Sequence, residues 1–195
     1  MSGIENRDLQ NAVEKSGLQD GMRISFHHHL RHGDRLVAAV LPILERMGLR
    51  NLVLCVSSIM GPSCEAVYQA VRAGVISKIE TTGLKEPLTG AVLRGELPEP
   101  VVFRSHGGRA QGIVDGRTPI DVAFIAASAA DKKGNLNGVD GTNRFGSMGY
   151  AIVDAAHAAH VIAVTDFISN EPLTHISIPA GQVHQLAVVE SIGDR

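Results

Sequence analysis

Short runs of β-branched and aliphatic residues recur along the chain, each released into a loop of glycine and polar residues. This rhythm restricts the fold more than any other feature. Residues 22–26 (MRISF) lead into HHHLRHG, 51–56 (NLVLCV) into SSIMGPS, and 75–80 (VISKIE) into TTGLKEP. Further on, 101–103 (VVF) opens into RSHGGRA, 120–126 (IDVAFIA) into ASAADKKGN, and 161–164 (VIAV) into TDFISN. Runs such as Leu52-Val53-Leu54-Cys55-Val56 do not alternate with polar residues, so they read as strands covered on both faces. Helical spacing fills the gaps. Asp34 is placed as an N-cap before Leu36, Val37, Val40, Leu41, Leu44 and Met47, with Gly48 as the stop. Pro42 deletes one backbone donor inside that helix and predicts a kink. Weaker helical patterns cover 63–73, 108–115 and 149–158. Strands alternating with helices predict an α/β fold: an open, mostly parallel sheet with helices on both faces. One domain spanning 1–195 is the simplest division. In such sheets the loops at the carboxyl ends of the strands build the ligand site.

Composition narrows the function classes. Lys and Arg total 18 against 20 Asp and Glu, so there is no basic footprint for nucleic acid. Two cysteines without a CxxC spacing predict free thiols in a reduced, cytoplasmic setting rather than a disulfide framework. The first twenty residues are polar and mixed in charge, unlike a signal peptide. Apolar stretches such as 36–44 fall short of the roughly 18–20 residues that cross a bilayer. Only five Phe and two Tyr are present, with no Trp, so the core must be aliphatic. Glycine is in excess at 21, which predicts many tight turns or loops that approach a ligand.

Two constellations could carry chemistry. Phe26-His27-His28-His29-Leu30-Arg31-His32-Gly33-Asp34 follows a strand and opens a helix. Backbone N–H groups at a helix start, with cations nearby, suit a carboxylate, phosphate or oxyanion. A metal is the competitor for these histidines, but zinc would want a further ligand and none has a recognisable spacing. No metal is therefore expected, and structural packing of the histidines is the bland reading. In the second, Arg104-Ser105-His106-Gly107-Gly108-Arg109-Ala110 sets two arginines around Gly-Gly after a strand. Guanidinium forks take carboxylates in bidentate fashion, so a polycarboxylate fits, against the alternative of a solvated turn. The dinucleotide GxGxxG and the P-loop pattern are both missing. Glu80 ends a strand and reads as solvated; Asp131-Lys132-Lys133-Gly134-Asn135 reads as a tight turn. Ser147 lies outside a GxSxG elbow, which argues against a serine hydrolase.

The motifs FHHHLRHGD, TTGLKEPLTG, RSHGGRA, IDVAFIAAS…DKKGNLNG and GSMGYAIVDAAHAA, in this order over nearly the whole chain, resemble the citrate lyase alpha chain. More distantly the pattern resembles the family I CoA transferases. The resemblance implies thioester exchange. The acyl-carrier (or CoA) thiol passes from an acetyl thioester to citrate, giving a citryl thioester and acetate. It implies no tightly bound cofactor, with CoA or a phosphopantetheine-type carrier arm as substrate, and citrate lyase beta and gamma (carrier) chains as partners. Chains of that family are much longer, so 1–195 is expected to be the N-terminal part of a two-domain chain. The glutamate nucleophile of related transferases belongs to the other half, and no residue here matches it. Arg104 and Arg109, with Gly107 and Gly108, are the expected citrate contacts. His28, His29, Gly33 and Gly83 are expected at the thioester arm, and His106 as the polar catalytic partner. Two alternatives stand beside this reading: a non-catalytic docking domain of the lyase complex, and a sugar-phosphate isomerase or sensor of the same architecture.

Overall fold

The computed structural model of the chain describes residues 6–27, 29–30 and 33–194. Its elements follow as β1 (Asn6–Arg7), α1 (Leu9–Glu14), β2 (Arg23–Phe26), α2 (Leu36–Arg46), β3 (Leu52–Val56) and α3 (Pro62–Arg72). Then come β4 (Ile76–Thr81), α4 (Leu88–Leu93), β5 (Val102–Phe103), α5 (His106–Val114) and β6 (Val122–Ala127). The chain closes with β7 (Ala129–Asp131), β8 (Leu136–Asn137), α6 (Ala151–His157), β9 (His160–Thr165), β10 (Ile168–Ser169) and β11 (Gln185–Val188). Eight strands form one sheet in the order β1-β11-β9-β6-β2-β3-β4-β5, with every neighbouring pair parallel. A small second sheet holds β10, β7 and β8.

The sheet grows outward from β2 in two directions. The chain first adds β3, β4 and β5, then crosses back to lay β6 on the other side of β2 and continues to β9 and β11. Parallel crossovers are right-handed, so reversing the direction of travel sends the connecting helices to the opposite face. Alternation along each strand sorts the side chains accordingly. Leu52, Leu54, Val56, Val122, Phe124 and Ala126 share one core with helices α1 to α4. Cys55, Ala123, Ile125 and Ala127 pack instead with Ile113 of α5 and with Ala151 and Ala155 of α6. Burial on both faces is why these runs carry no polar alternation. With few aromatic rings to spend, the chain places Phe26 of β2 against Phe124 of β6, stacked at 4.8 Å where the sheet's two halves meet.

Local chemistry sets the helix ends. The Asp34 carboxylate accepts the Leu36 N–H at 3.0 Å, satisfying an orphan donor of the first turn of α2. The helix then runs through Pro42 as one element. It stops at Gly48, whose φ of +79° is left-handed; its N–H bonds the Glu45 carbonyl, and Leu49 N–H reaches back to Leu44. The same closure recurs at Gly74, Gly95 and Gly116. Part of the glycine excess therefore terminates helices rather than lining ligand loops. The predicted turn after β7 forms as expected. Burial pushes the Asp131 carboxyl up, but donors from Asn135, Lys133 and Leu173 outweigh it and hold the group below the usual carboxylate range.

At the amino ends of β9 and β11, His160 and His184 stack at 4.7 Å. Val161 N–H donates to His184 Nδ1 at 3.0 Å, and the Gln185 amide nitrogen lies 3.1 Å from His160 Nε2, which must accept there. Burial first, and His184 second, hold His160 below the ordinary histidine value. A histidine lowered in this way stabilises the fold above the ordinary value, and the contribution is lost as pH falls through the lowered one. Urea unfolding at pH 7.5 and pH 5 should thus show a smaller acid loss for His160→Gln than for the wild type. Equal losses would remove His160 from the account.

Candidate functional site

Phe26 turns to the α2 side of the sheet, so the next side chain, His27, emerges on the side covered by α5 and α6. There it meets a charge pair supplied by both helices. Asp154 belongs to the inward stripe of α6 with Ala151 and Ala155, and Arg109 to the inward stripe of α5 with Gly112 and Ile113. The Arg109 guanidinium forks onto the carboxylate, Nη1 to Oδ1 at 2.9 Å and Nη2 to Oδ2 at 2.7 Å. Nη2 also lies 3.4 Å from the Cys55 carbonyl. His27 Nε2 approaches Asp154 Oδ2 to 2.9 Å, with its N–H direction turned off the oxygen. All three residues are buried, Asp154 completely. Burial drives the Asp154 carboxyl up, yet His27 and Arg109 together overcome it and hold the group well below the usual carboxylate range. Burial also pushes the neighbouring Cys55 thiol up, so it stays protonated.

A second buried acid lies nearer the β5 edge of the sheet. Glu80 accepts from Arg23 at 3.1 Å on one oxygen and from Arg104 at 3.2 and 3.3 Å on the other. Its exposure is 3%, so the solvated carboxylate expected from the sequence is instead held between two guanidinium groups.

Above His27, at the carboxyl ends of the strands, lies a cavity of about 180 Å³ lined by His27, His29, Ser57, His106 and the turn Ser147 to Tyr150. It opens beside the point where sheet order reverses, the usual place for a ligand in an open α/β sheet. His106 begins α5, whose first turn is capped by the Ser105 hydroxyl accepting Gly108 N–H at 3.0 Å. His106 is exposed, with Nε2 3.4 Å from the Thr82 hydroxyl and its ring 6.1 Å from that of Tyr150. The Thr82 hydroxyl also lies against the Ser57 carbonyl. The His29 ring stacks on Phe145 at 4.2 Å and lies 5.9 Å from the His27 ring. Imidazole donors beside the amino end of a helix suit an anion or a developing oxyanion. Among the described residues, no group of three His, Cys, Asp or Glu side chains is placed to hold a metal ion.

The rim is tied together by a circuit of contacts. Phe145, under His29, shares its loop with Asn143, whose amide donates to Asp166 at 2.6 Å. The same Asp166 oxygen accepts Ile192 N–H at 3.1 Å, and the Ile192 carbonyl accepts Arg35 N–H at 3.1 Å. Asp194 N–H bonds the Gly33 carbonyl at 3.0 Å, and a Cβ on Gly33 would fall 2.0 Å from the Asp194 carbonyl oxygen. Asp34 closes the circuit by accepting His29 N–H at 3.3 Å. Burial lifts the Asp34 carboxyl to about 6, against the pull of its bonds from Leu36 and His29.

The residues singled out from sequence scatter across this picture. His29 and His106 line the cavity, and Gly107 and Gly108 form the exposed first turn of α5 beside it. Arg104 grips Glu80 and is partly exposed. Arg109 is turned inward onto Asp154 at 2% exposure, so the polycarboxylate expected there is met by a carboxylate of the chain itself. Gly33 faces the Asp194 backbone, and Gly83 accepts Ile59 N–H at 3.1 Å to pair the loops after β3 and β4; neither lines the cavity. His28 lies outside the described residues. Asp154, Tyr150 and Ser57 were not anticipated. The available signal was an acid spaced three and four residues from small apolar neighbours in the last helix.

Comparison with known proteins places this geometry. The family model "Citrate lyase, alpha subunit (CitF)" matches residues 5–195. The chain is 42% identical over 188 residues to the citrate lyase alpha chain of Escherichia coli K12, covering 96% of this chain and 36% of the relative. It is 41% identical over 186 residues to that of Haemophilus influenzae, covering 95% and 37% respectively. It thus spans little more than a third of the curated relatives it matches. Among solved structures, the alpha subunit of citrate lyase from Streptococcus mutans in complex with citrate superposes with a TM-score of 0.92 at 37% identity, covering 99% of this chain and 40% of that one. Glutaconate coenzyme A-transferase from Acidaminococcus fermentans shares the fold at a TM-score of 0.66 and 14% identity, over 93% of this chain and 74% of that one.

Removing one partner of a buried ion pair strands the other charge, at about 3–5 kcal/mol. Arg109→Ala should therefore lower the free energy of unfolding by about that much, and Arg109→Lys, which keeps charge without the fork, by less. Urea denaturation measures both. An Arg109→Ala protein as stable as the wild type would mean that the pair does not support the fold.

Proposed function

The chain belongs to the citrate lyase alpha-subunit family, and on that footing we propose that it forms part of a cytoplasmic transferase exchanging acetyl for citryl on a thiol. The observation that carries this reading is the histidine-lined cavity at the strand ends, at the amino end of α5. A citrate carboxylate attacks the acetyl thioester carbonyl; the C–O bond forms, the C–S bond breaks, and the thiolate leaves. The thiolate then attacks the citryl carbonyl of the mixed anhydride, and acetate departs. No net proton is consumed, and each step passes through an oxyanion. Preorganised donors are what such chemistry requires. His106 offers an imidazole donor, the turn at Gly107 and Gly108 brings backbone amides, and His29 borders the space for the thioester arm. The partly exposed edge of Arg104 supplies positive charge for a further carboxylate. The thiol belongs to an acyl carrier protein or to CoA, and beta and gamma chains complete the assembly.

The inward turn of Arg109 onto Asp154, which takes an expected citrate contact away from the cavity, favours a second reading of the same region: a domain that docks partners and supplies only part of a site. The two are separated by assaying acetate release from acetyl-CoA plus citrate, with the 195-residue chain and with the full-length alpha subunit. In whichever protein is active, His106→Ala should reduce kcat/KM about 100-fold with an unchanged unfolding midpoint. Unaltered kinetics would remove His106 from the site, and no exchange in either protein would overturn the transferase reading.

A further inference from the structure

Asp154 occupies a position where its own helix predicts an apolar residue. Ala151 and Ala155 share its stripe, and its exposure is zero. An acid there is a burden on folding unless paired, and the pair with Arg109 is a costlier solution than two well-packed apolar side chains. Stability alone does not account for it. The charge pair is closed off from solvent, and the side chain of His27 connects it to the cavity. Three elements that meet nowhere else in sequence thus converge on one imidazole at the cavity floor: α6 brings the anion, α5 the guanidinium fork, and the end of β2 the ring. Nε2 sits 2.9 Å from Asp154 Oδ2, so Nδ1 is the nitrogen left for the cavity.

We propose that Asp154 is a positioning residue: it holds His27 with Nε2 inward and Nδ1 presented to the ligand, and Arg109 fixes the carboxylate that does so. His27 is then the group that touches substrate, donating from Nδ1–H in its protonated form to a carboxylate or oxyanion in the cavity. This rests on the transferase reading for its substrate, but not for the orientation of the ring.

Variants of the full-length alpha subunit test it. Asp154→Asn removes the charge at constant shape. The double variant Arg109→Met, Asp154→Leu replaces the whole pair by apolar groups, a change that buried pairs tolerate without loss of stability. The expected result is a folded double variant whose kcat and kcat/KM for acetyl-CoA plus citrate fall together by 10- to 100-fold. In nitrogen NMR of substrate-free protein, His27 should show the Nε2–H form in the wild type and a mixture of tautomers in both variants. Asp154→Glu should recover part of the activity, while the double variant does not. A folded double variant with wild-type kcat and an unchanged His27 tautomer would overturn the proposal, assigning the pair to structure alone. Absence of exchange in the wild type would count against the transferase reading only, because the NMR arm still decides the orientation of His27.

Discussion

One buried carboxylate organises the functional end of this molecule. Asp154 has been taken out of water, and everything around it compensates for that. The guanidinium of Arg109 satisfies both oxygens in a fork, and the imidazole of His27 approaches the same oxygen from the sheet side. These contacts fix α5 relative to α6, and both relative to the end of β2. The cavity above them inherits its shape from that arrangement, because its walls are the turns that open the same two helices.

The direction of chain growth made the meeting possible. Had the sheet continued past β5 in one direction, all helices would have stayed on one face and β2 would have had no β6 beside it. Reversal at β2 sends α5 and α6 to the opposite face and sets β2 beside β6. The reversal also leaves a gap at the carboxyl ends, where loops diverge. Fold and site are thus two results of a single topological choice.

Much of the sheet was legible in the sequence because burial on both faces leaves its mark as unbroken apolar runs, and the expected strands recur within one or two residues. Short elements were not: Asn6–Arg7 holds no apolar residue, Gln185–Val188 is only four residues long, and α4 holds a glycine in a span of six residues. The site was half legible. Histidines near glycines marked the right loops. Two arginines flanking Gly-Gly look like an open turn in the sequence, whereas the helix already begins at His106 and carries Arg109 round to the inside. Its partner lies in a helix that the sequence marks only as a weaker pattern over 149–158, and no local spacing links residues that meet only through the sheet.

The circuit through His29, Phe145, Asn143, Asp166, Ile192 and Gly33 has a consequence for how the rim can move. Its members come from four separate stretches of chain, and each link between them is a hydrogen bond or a ring contact that fails when either neighbour departs. The rim therefore opens as a cooperative unit. Backbone amides at Asp194, Arg35 and Ile192 would exchange with solvent through one shared opening event, with a common dependence on denaturant. A ligand that stiffens any one link would slow exchange at all of them, so occupancy of the cavity is communicated along its edge without displacement of the sheet.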